Sequence, residues 1–272
     1  MKKLINLAMA AIFLCGTSVF TSCTTTDNPA QSGINLSEMI IGKWITTNIE
    51  GKNMQTNDKI VFTFVSPTKA YLSASYTTDL GSGEQWIDKR EIDVVISGDT
   101  ITLTTRTDEH TIVVEKLIVQ NITSSKLSTL HDVSIYYDGK VIASGKGTPL
   151  RFAKITTDYS QDIIGLWECT ALTGTETYND ADSRLEFFAD GTYKYWHKNT
   201  AGEWEAVINR EFQNYFVDGT LLGTRWKNTG EEELREWWEI ASLANGQMVW
   251  TALREKTDDT TVQQEMRWKK IE

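Results

Sequence analysis

The sequence predicts an all-β protein: two tandem eight-stranded antiparallel up-and-down barrels that follow an N-terminal export signal. Three observations predict it. The phrase Ser-x-x-Ile-Ile-Gly-x-Trp occurs twice, as SEMIIGKW (Ser37 to Trp44) and SQDIIGLW (Ser160 to Trp167), and the landmarks after it recur in the same order. Between the landmarks, short runs of aromatic and β-branched residues are separated by Asp-Gly, Ser-Gly and related turn pairs. No stretch of helical period exceeds about two turns except the lead-ins SEMII and SQDII, where Ser37 and Ser160 read as N-caps.

The N-terminus comes first. Lys2 and Lys3 precede an apolar run from Leu4 to about Val19, and small polar residues then lead to Cys23. This reads as an export signal over residues 1–22, too short and wrongly flanked for a membrane-spanning helix. Phe20-Thr21-Ser22-Cys23 resembles the lipobox of bacterial lipoproteins, with Phe20 where leucine is usual. The resemblance implies that Cys23 is acylated and ties the chain to a membrane, each buried methylene contributing about 0.8 kcal/mol. Residues 23–35 are small and polar and include Pro29 and Gly33, as expected of a flexible tether. Such a tether, with Asp-Asn-Pro soon after the cysteine, resembles those of Bacteroides-group lipoproteins, which implies an outer-membrane or cell-surface location.

Beyond the tether, Cys169 stands alone, so no disulfide can form within the body and an apolar core must supply stability. With residues 1–22 removed, 25 basic residues face 37 acidic ones, a net charge of −12. Such a body repels nucleic acid, and no nucleic-acid partner is expected.

The repeat runs the whole length of the body. REIDVVISGDTITL (Arg90 to Leu103) matches REFQNYFVDGTLLG (Arg210 to Gly223), Val113 to Glu115 matches Trp237 to Glu239, and RFAKI (Arg151 to Ile155) matches RWKKI (Arg267 to Ile271). The two copies occupy 36–156 and 159–272. In the second, strands are expected near 166–172, 183–189, 192–198, 203–209, 211–217, 220–226, 233–242, 247–254 and 261–271, with two of them one bent strand. Eight antiparallel strands in meander order close best as a barrel, since closure removes exposed edges.

A Gly-x-Trp at the start of the first strand, after a short helical turn, with an arginine on the last strand, resembles the lipocalin and wider calycin pattern. The Phe-Ala-Asp-Gly-Thr-Tyr hairpin at 188–193 and the terminal Arg-[Phe/Trp]-x-Lys-Ile resemble the tandem lipocalin-like lipoproteins of the Bacteroides group. A barrel has two open ends, and a tryptophan laid across one of them, with a guanidinium stacked on it, closes that end. Trp44 is therefore expected to pair with Arg151 and Trp167 with Arg267, while Gly42 and Gly165 admit the close approach of the lead-in.

Chemistry is sparse. His110, His131 and His197 lie far apart with no metal-binding spacing, and no nucleophile elbow or phosphate loop occurs. Glu231-Glu232-Glu233 and Asp258-Asp259 read as solvated turns. The expectation is a non-catalytic protein without cofactor or metal. The tryptophans are more informative, because only Trp44 and Trp86 of the ten fall in the first copy. Three explanations compete for the excess in the second: filling the barrel interior and packing the copies together, lining a cavity for an apolar small molecule or glycan, or offering exposed anchors to a protein partner. Candidate ligand-binding residues are Tyr193, Tyr195, Trp196, Trp226, Trp237, Trp238 and Trp250, with Trp237 and Trp238 necessarily on opposite faces.

Overall fold

The computed structural model describes residues 35–49, 52–53, 58–76, 86–174, 182–255 and 261–271. The signal, Cys23 and the tether up to residue 34 lie outside the described residues, as do Asp258 and Asp259. One helical turn, α1 (Leu36–Met39), leads into β1 (Gly42–Ile49), β2 (Lys52–Asn53), β3 (Asp58–Ser66), β4 (Lys69–Tyr76), β5 (Trp86–Ser97), β6 (Thr100–Arg106), β7 (Thr111–Ile122), β8 (Lys126–Tyr137) and β9 (Lys140–Ile155). The second copy follows as β10 (Gly165–Thr173), β11 (Ser183–Phe187), β12 (Tyr193–Lys198), β13 (Trp204–Ala206), β14 (Arg210–Asp218), β15 (Leu221–Asn228), β16 (Glu233–Ala244), β17 (Gln247–Glu255) and β18 (Thr261–Ile271).

Local chemistry sets these elements. In β6 the buried residues Ile101, Leu103 and Thr105 alternate with partly exposed threonines, as a wall with one face on a core requires. Asp138-Gly139 joins β8 to β9 with both residues at positive φ, between the paired Tyr137 and Lys140. That is the conformation a two-residue hairpin with right-handed twist demands. Ser37 lies inside α1, where Asn35 holds the N-cap position, and the lead-in to the second copy forms a turn whose Ser160 N–H donates to Asp158.

The first copy is a closed barrel. β3 to β9 pair in sequence, and β1 pairs with both β3 and β9, completing an eight-stranded antiparallel ring with β2 as a short flap on β1. Phe62, Phe64, Phe152, Ile92 and Leu117 fill its core. The second copy is a curled sheet in the order β13-β12-β11-β10-β18-β17-β16-β15-β14. Its ends meet at the bridge Thr192↔Asn214, reinforced by Tyr215 N–H to the Gly191 carbonyl (2.8 Å) and Tyr215 O–H to the Phe188 carbonyl (2.7 Å). The expected bent strand is β13 with β14: its first part pairs with β12 and its second crosses to β15.

The barrels share a wall. Ile45 and Val61, on the outside of the first barrel, belong to the apolar cluster of the second. Trp86 meets Phe216 edge-on with ring centroids 4.7 Å apart, and the Arg225 guanidinium lies 4.9 Å from the Trp86 ring. Charges are matched within this wall. Lys59 pairs with Glu239 at 3.0 Å over the ring of Trp237, and Lys43 bridges Asp158 and Asp218, each at 2.6 Å. Asp218 is 1% exposed, and Ser73 O–H donates to its second oxygen at 2.6 Å, so the buried carboxylate is both paired and hydrogen-bonded.

Candidate functional site

The doubled phrase builds the closed end of each barrel. The Trp44 indole N–H donates to the Ile40 carbonyl and the Trp167 indole to the Ile163 carbonyl, both at 2.6 Å, and both rings are fully buried. The cation over each ring is a lysine, not the expected arginine. Lys154 Nζ lies 5.1 Å from the Trp44 centroid and Lys270 Nζ lies 5.2 Å from that of Trp167. Register is the reason: Trp44 pairs with Lys154 and Trp167 with Lys270 directly across the ladder. A bulge at Thr47 and its equivalent Thr170 carries Arg151 and Arg267 past the tryptophans, and both arginine side chains are exposed. What the bulge uses is the arginine backbone, whose carbonyl accepts from Thr47 (3.2 Å) or Thr170 (3.1 Å). Gly42 and Gly165 sit at φ +124° and +126°, and a Cβ there would lie 2.7 or 2.8 Å from the lysine Cε that crosses the tryptophan.

Towards the opposite end, the second barrel has an interior of different character. Trp238, Trp250 and Trp268 form a buried stack, with Trp250 4.7 Å from Trp268 and 5.9 Å from Trp238, and Phe187 and Tyr193 continue it. Above this floor two guanidinium groups enter. Arg210 donates to Gln213 Oε1 at 2.9 Å and lies 5.2 Å from the Tyr195 ring and 5.5 Å from the Trp226 ring. Arg254 donates to Glu236 Oε1 at 3.2 Å and to the Trp237 carbonyl at 2.8 Å, 4.7 Å from the Trp238 ring. Burial lowers the Arg254 pKa below that of a free guanidinium, with Glu236 opposing the shift. Burial also raises the Tyr193 hydroxyl far above its ordinary value, so it stays protonated. Arg210 Nε, Arg254 Nη1 and the indole nitrogens of Trp250 and Trp268 are buried without a hydrogen-bond partner among the described residues.

Of the seven candidate ligand-binding residues, Tyr193, Tyr195, Trp226, Trp238 and Trp250 share this interior face. The other two do not. Trp196 pairs with Arg184 on the outer face, beside Trp204, whose ring lies 3.9 Å from the Arg184 guanidinium, which also pairs with Glu168. Trp237 faces outward but is 2% exposed, because the first barrel covers it through Lys59. Strand alternation decides both cases, with each residue out of phase with an inward neighbour, Tyr195 or Trp238.

Arg210, Gln213, Glu236 and Arg254 escaped the sequence reading. The available signal was the same alternation: Glu236 shares the face of Trp238 and Ile240, and Arg254 that of Trp250. Arg210 was visible only as part of a repeated word. Its equivalent in the first barrel, Arg90, pairs across the ladder with buried Leu72.

Two other features were weighed. A groove of about 230 Å³ between the barrels is lined by Thr47, Lys59, Trp237, Glu239, Leu253 and Gln263, but its charges already satisfy one another. Among the described residues no cluster of histidine, cysteine and carboxylate side chains suits a metal ion, and no helix is long and apolar enough to cross a membrane. His110 and His131 pair with Asp138 and Glu115.

The fold and site thus define a two-barrel all-β protein whose second barrel holds an aromatic, guanidinium-lined interior. No family model matches the chain, and no curated protein matches it. Among solved structures it is similar to short afifavidin in complex with biotin, at 11% identity over 43% of this chain and 94% of that one, with a TM-score of 0.27. It is also similar to transferrin binding protein B of Haemophilus parasuis, at 8% identity over 78% of this chain and 53% of that one (TM-score 0.23). The same protein from Neisseria meningitidis gives 8% identity over 81% and 61%, with a TM-score of 0.23. Likenesses this low assign nothing to this chain, and its architecture rests on the strand order and register given above.

Proposed function

We propose that the chain is a lipoprotein held at the outer membrane or cell surface through Cys23, whose second lipocalin-like barrel binds a small apolar or glycan ligand without catalysis. One observation carries the binding role: the interior lined by Tyr195, Trp226, Arg210 and Arg254 keeps buried N–H donors that no acceptor among the described residues meets. Burying such donors costs about 1–3 kcal/mol each, a cost that the acceptors of a bound ligand would recover.

Tryptophan fluorescence titrated with fatty acids and oligosaccharides tests the binding role. A saturable change is expected, and silence with every ligand sinks it. Cys23→Ala tests the anchor, because loss of the protein from the membrane fraction is expected and retention there refutes it.

The alternative, a protein-docking subunit without a small ligand, has one observation in its favour. Trp196 and Trp204 lie side by side on the outer wall with Arg184 and Lys198 around them. Tryptophan and arginine together are frequent interface anchors. Capture of a partner that Trp204→Ala abolishes, with no ligand effect on fluorescence, would favour it.

A further inference from the structure

We infer that the ligand of the second barrel is a small carboxylic acid with a flat aromatic or apolar body, whose carboxylate is the counter-ion of Arg210. The inference rests on the binding role proposed above and goes beyond it in naming the ligand's chemical class.

The argument is one of charge and geometry. Among the described residues, two guanidinium groups and one carboxylate, Glu236, face the upper interior. Glu236 is taken by Arg254. Among the described residues, no carboxylate pairs with Arg210: its hydrogen-bond partners are the neutral Gln213 amide and the Tyr193 hydroxyl, and aromatic rings lie beside it. Ring faces attract a cation but do not neutralise it, and a partly buried cation without a counter-ion is costly. Gln213 is itself fixed, because its Oε1 also accepts the Tyr195 N–H at 3.1 Å, so the guanidinium is held by a group tied to two strands. This orients Arg210 before any ligand arrives and leaves its Nε–H without a partner.

A carboxylate matches what is left over. Its oxygens accept from planar guanidinium donors in fork geometry, and it supplies the missing negative charge. Arg254 Nη1 offers a further unpartnered donor in the same interior. The rest of the ligand meets ring faces, Tyr195 and Trp226 beside the guanidinium and the Trp238–Trp250 floor beneath. A sugar would use the rings but leave the charge unanswered. An amine would add to it.

Full-length protein is titrated by tryptophan fluorescence with three probes of one shape, 4-phenylbutyrate, 4-phenylbutanol and 4-phenylbutylamine, and with decanoate against decanol. The acids are expected to bind at least tenfold more tightly than the alcohols, and the amine not at all. Arg210→Gln should remove the preference for the acids while changing alcohol affinity less than twofold. If alcohols and acids bind equally, or if Arg210→Gln weakens both alike, the carboxylate assignment is overturned while the binding role stands. If no probe and no oligosaccharide binds, both fall together. A second measurement needs no ligand: removing a cation that lacks a counter-ion should leave the melting temperature of Arg210→Met unchanged or higher. A fall of several degrees would make Arg210 a structural residue and overturn the inference.

Discussion

Lys270 crosses the face of Trp167 at 5.2 Å, through space that a Cβ at Gly165 would occupy. The same three-residue arrangement, Gly42, Trp44 and Lys154, closes the first barrel. A side chain at either glycine would have to adopt a left-handed φ and displace the lysine.

Gly165→Ala should therefore destabilise the second barrel by about 1–3 kcal/mol, the sum of backbone strain and a lost cation–π contact. Lys270→Ala should cost about 0.5–1 kcal/mol. Urea unfolding of both single variants and the double variant checks this, and the double should cost less than the sum because the two share one contact.

Arg267→Ala and Arg151→Ala should lie within about 0.5 kcal/mol of the parent, since both side chains are exposed and the ion pair that Arg267 makes with Glu265, at 2.7 Å, lies at the surface. Thr170→Val, which removes the donor to the Arg267 carbonyl, should cost about 1 kcal/mol. Reversal of that order in thermal melts would return the arginines to the closing role.

Trp237 and Trp226 should separate stability from binding. Trp237→Ala opens a cavity in the shared wall and should cost about 3–5 kcal/mol, with unfolding of the two barrels resolved into separate transitions by calorimetry. Trp226→Ala, nearer the mouth and only partly buried, should leave the melt within a few degrees of the parent and weaken ligand binding about tenfold. Equal effects of both variants on both measurements would show that the two sites are not distinct.

The shared wall has its own pH dependence. Burial opposes the charge on Lys43, but hydrogen bonds to Asp158 and Asp218 outweigh it and raise its pKa, so its contribution is complete below its unfolded value of 10.5 and is lost as pH rises through the higher folded one. At Asp158 burial is likewise outweighed, by Lys43 and the Ser160 N–H, and the pKa is lowered. Its contribution is present above its unfolded value of 3.8 and disappears as pH falls through the lower folded one. Asp88, raised by burial, works in the opposite sense on the acid side. Asp158→Asn should flatten the acid limb of a urea-midpoint profile and leave Asp88→Asn with the steeper one.

Much of this architecture was legible in the residues. Asp138-Gly139 announced its hairpin, and the strand expected at 247–254 forms over Gln247–Glu255. What failed was register across a bulge. Arg267 looked like the partner of Trp167, but the extra residue Thr170 sets Arg267 opposite Ala171 and brings Lys270 to the ring. A bulge has no sharp sequence mark, so pairing beyond it is not countable from spacing. Alternation likewise showed that Trp237 and Trp238 point apart, but which of them is inside depends on how the sheet curls and on what covers its outer wall. Arg210 and Arg254 were passed over for a related reason. Inward charge is rare enough that an arginine on a strand is read as solvent-facing until the barrel shows otherwise.

The wall formed by Ile45, Val61 and Lys59 also bears on how such a protein is made. During synthesis the N-terminal half emerges with an oily strip and an unanswered ammonium on its flank, waiting for a sister that has not yet been threaded out. Parting the halves would return that strip to water and leave both Lys59 and Glu239 without their partner, so each half acts as the other's missing outer coat.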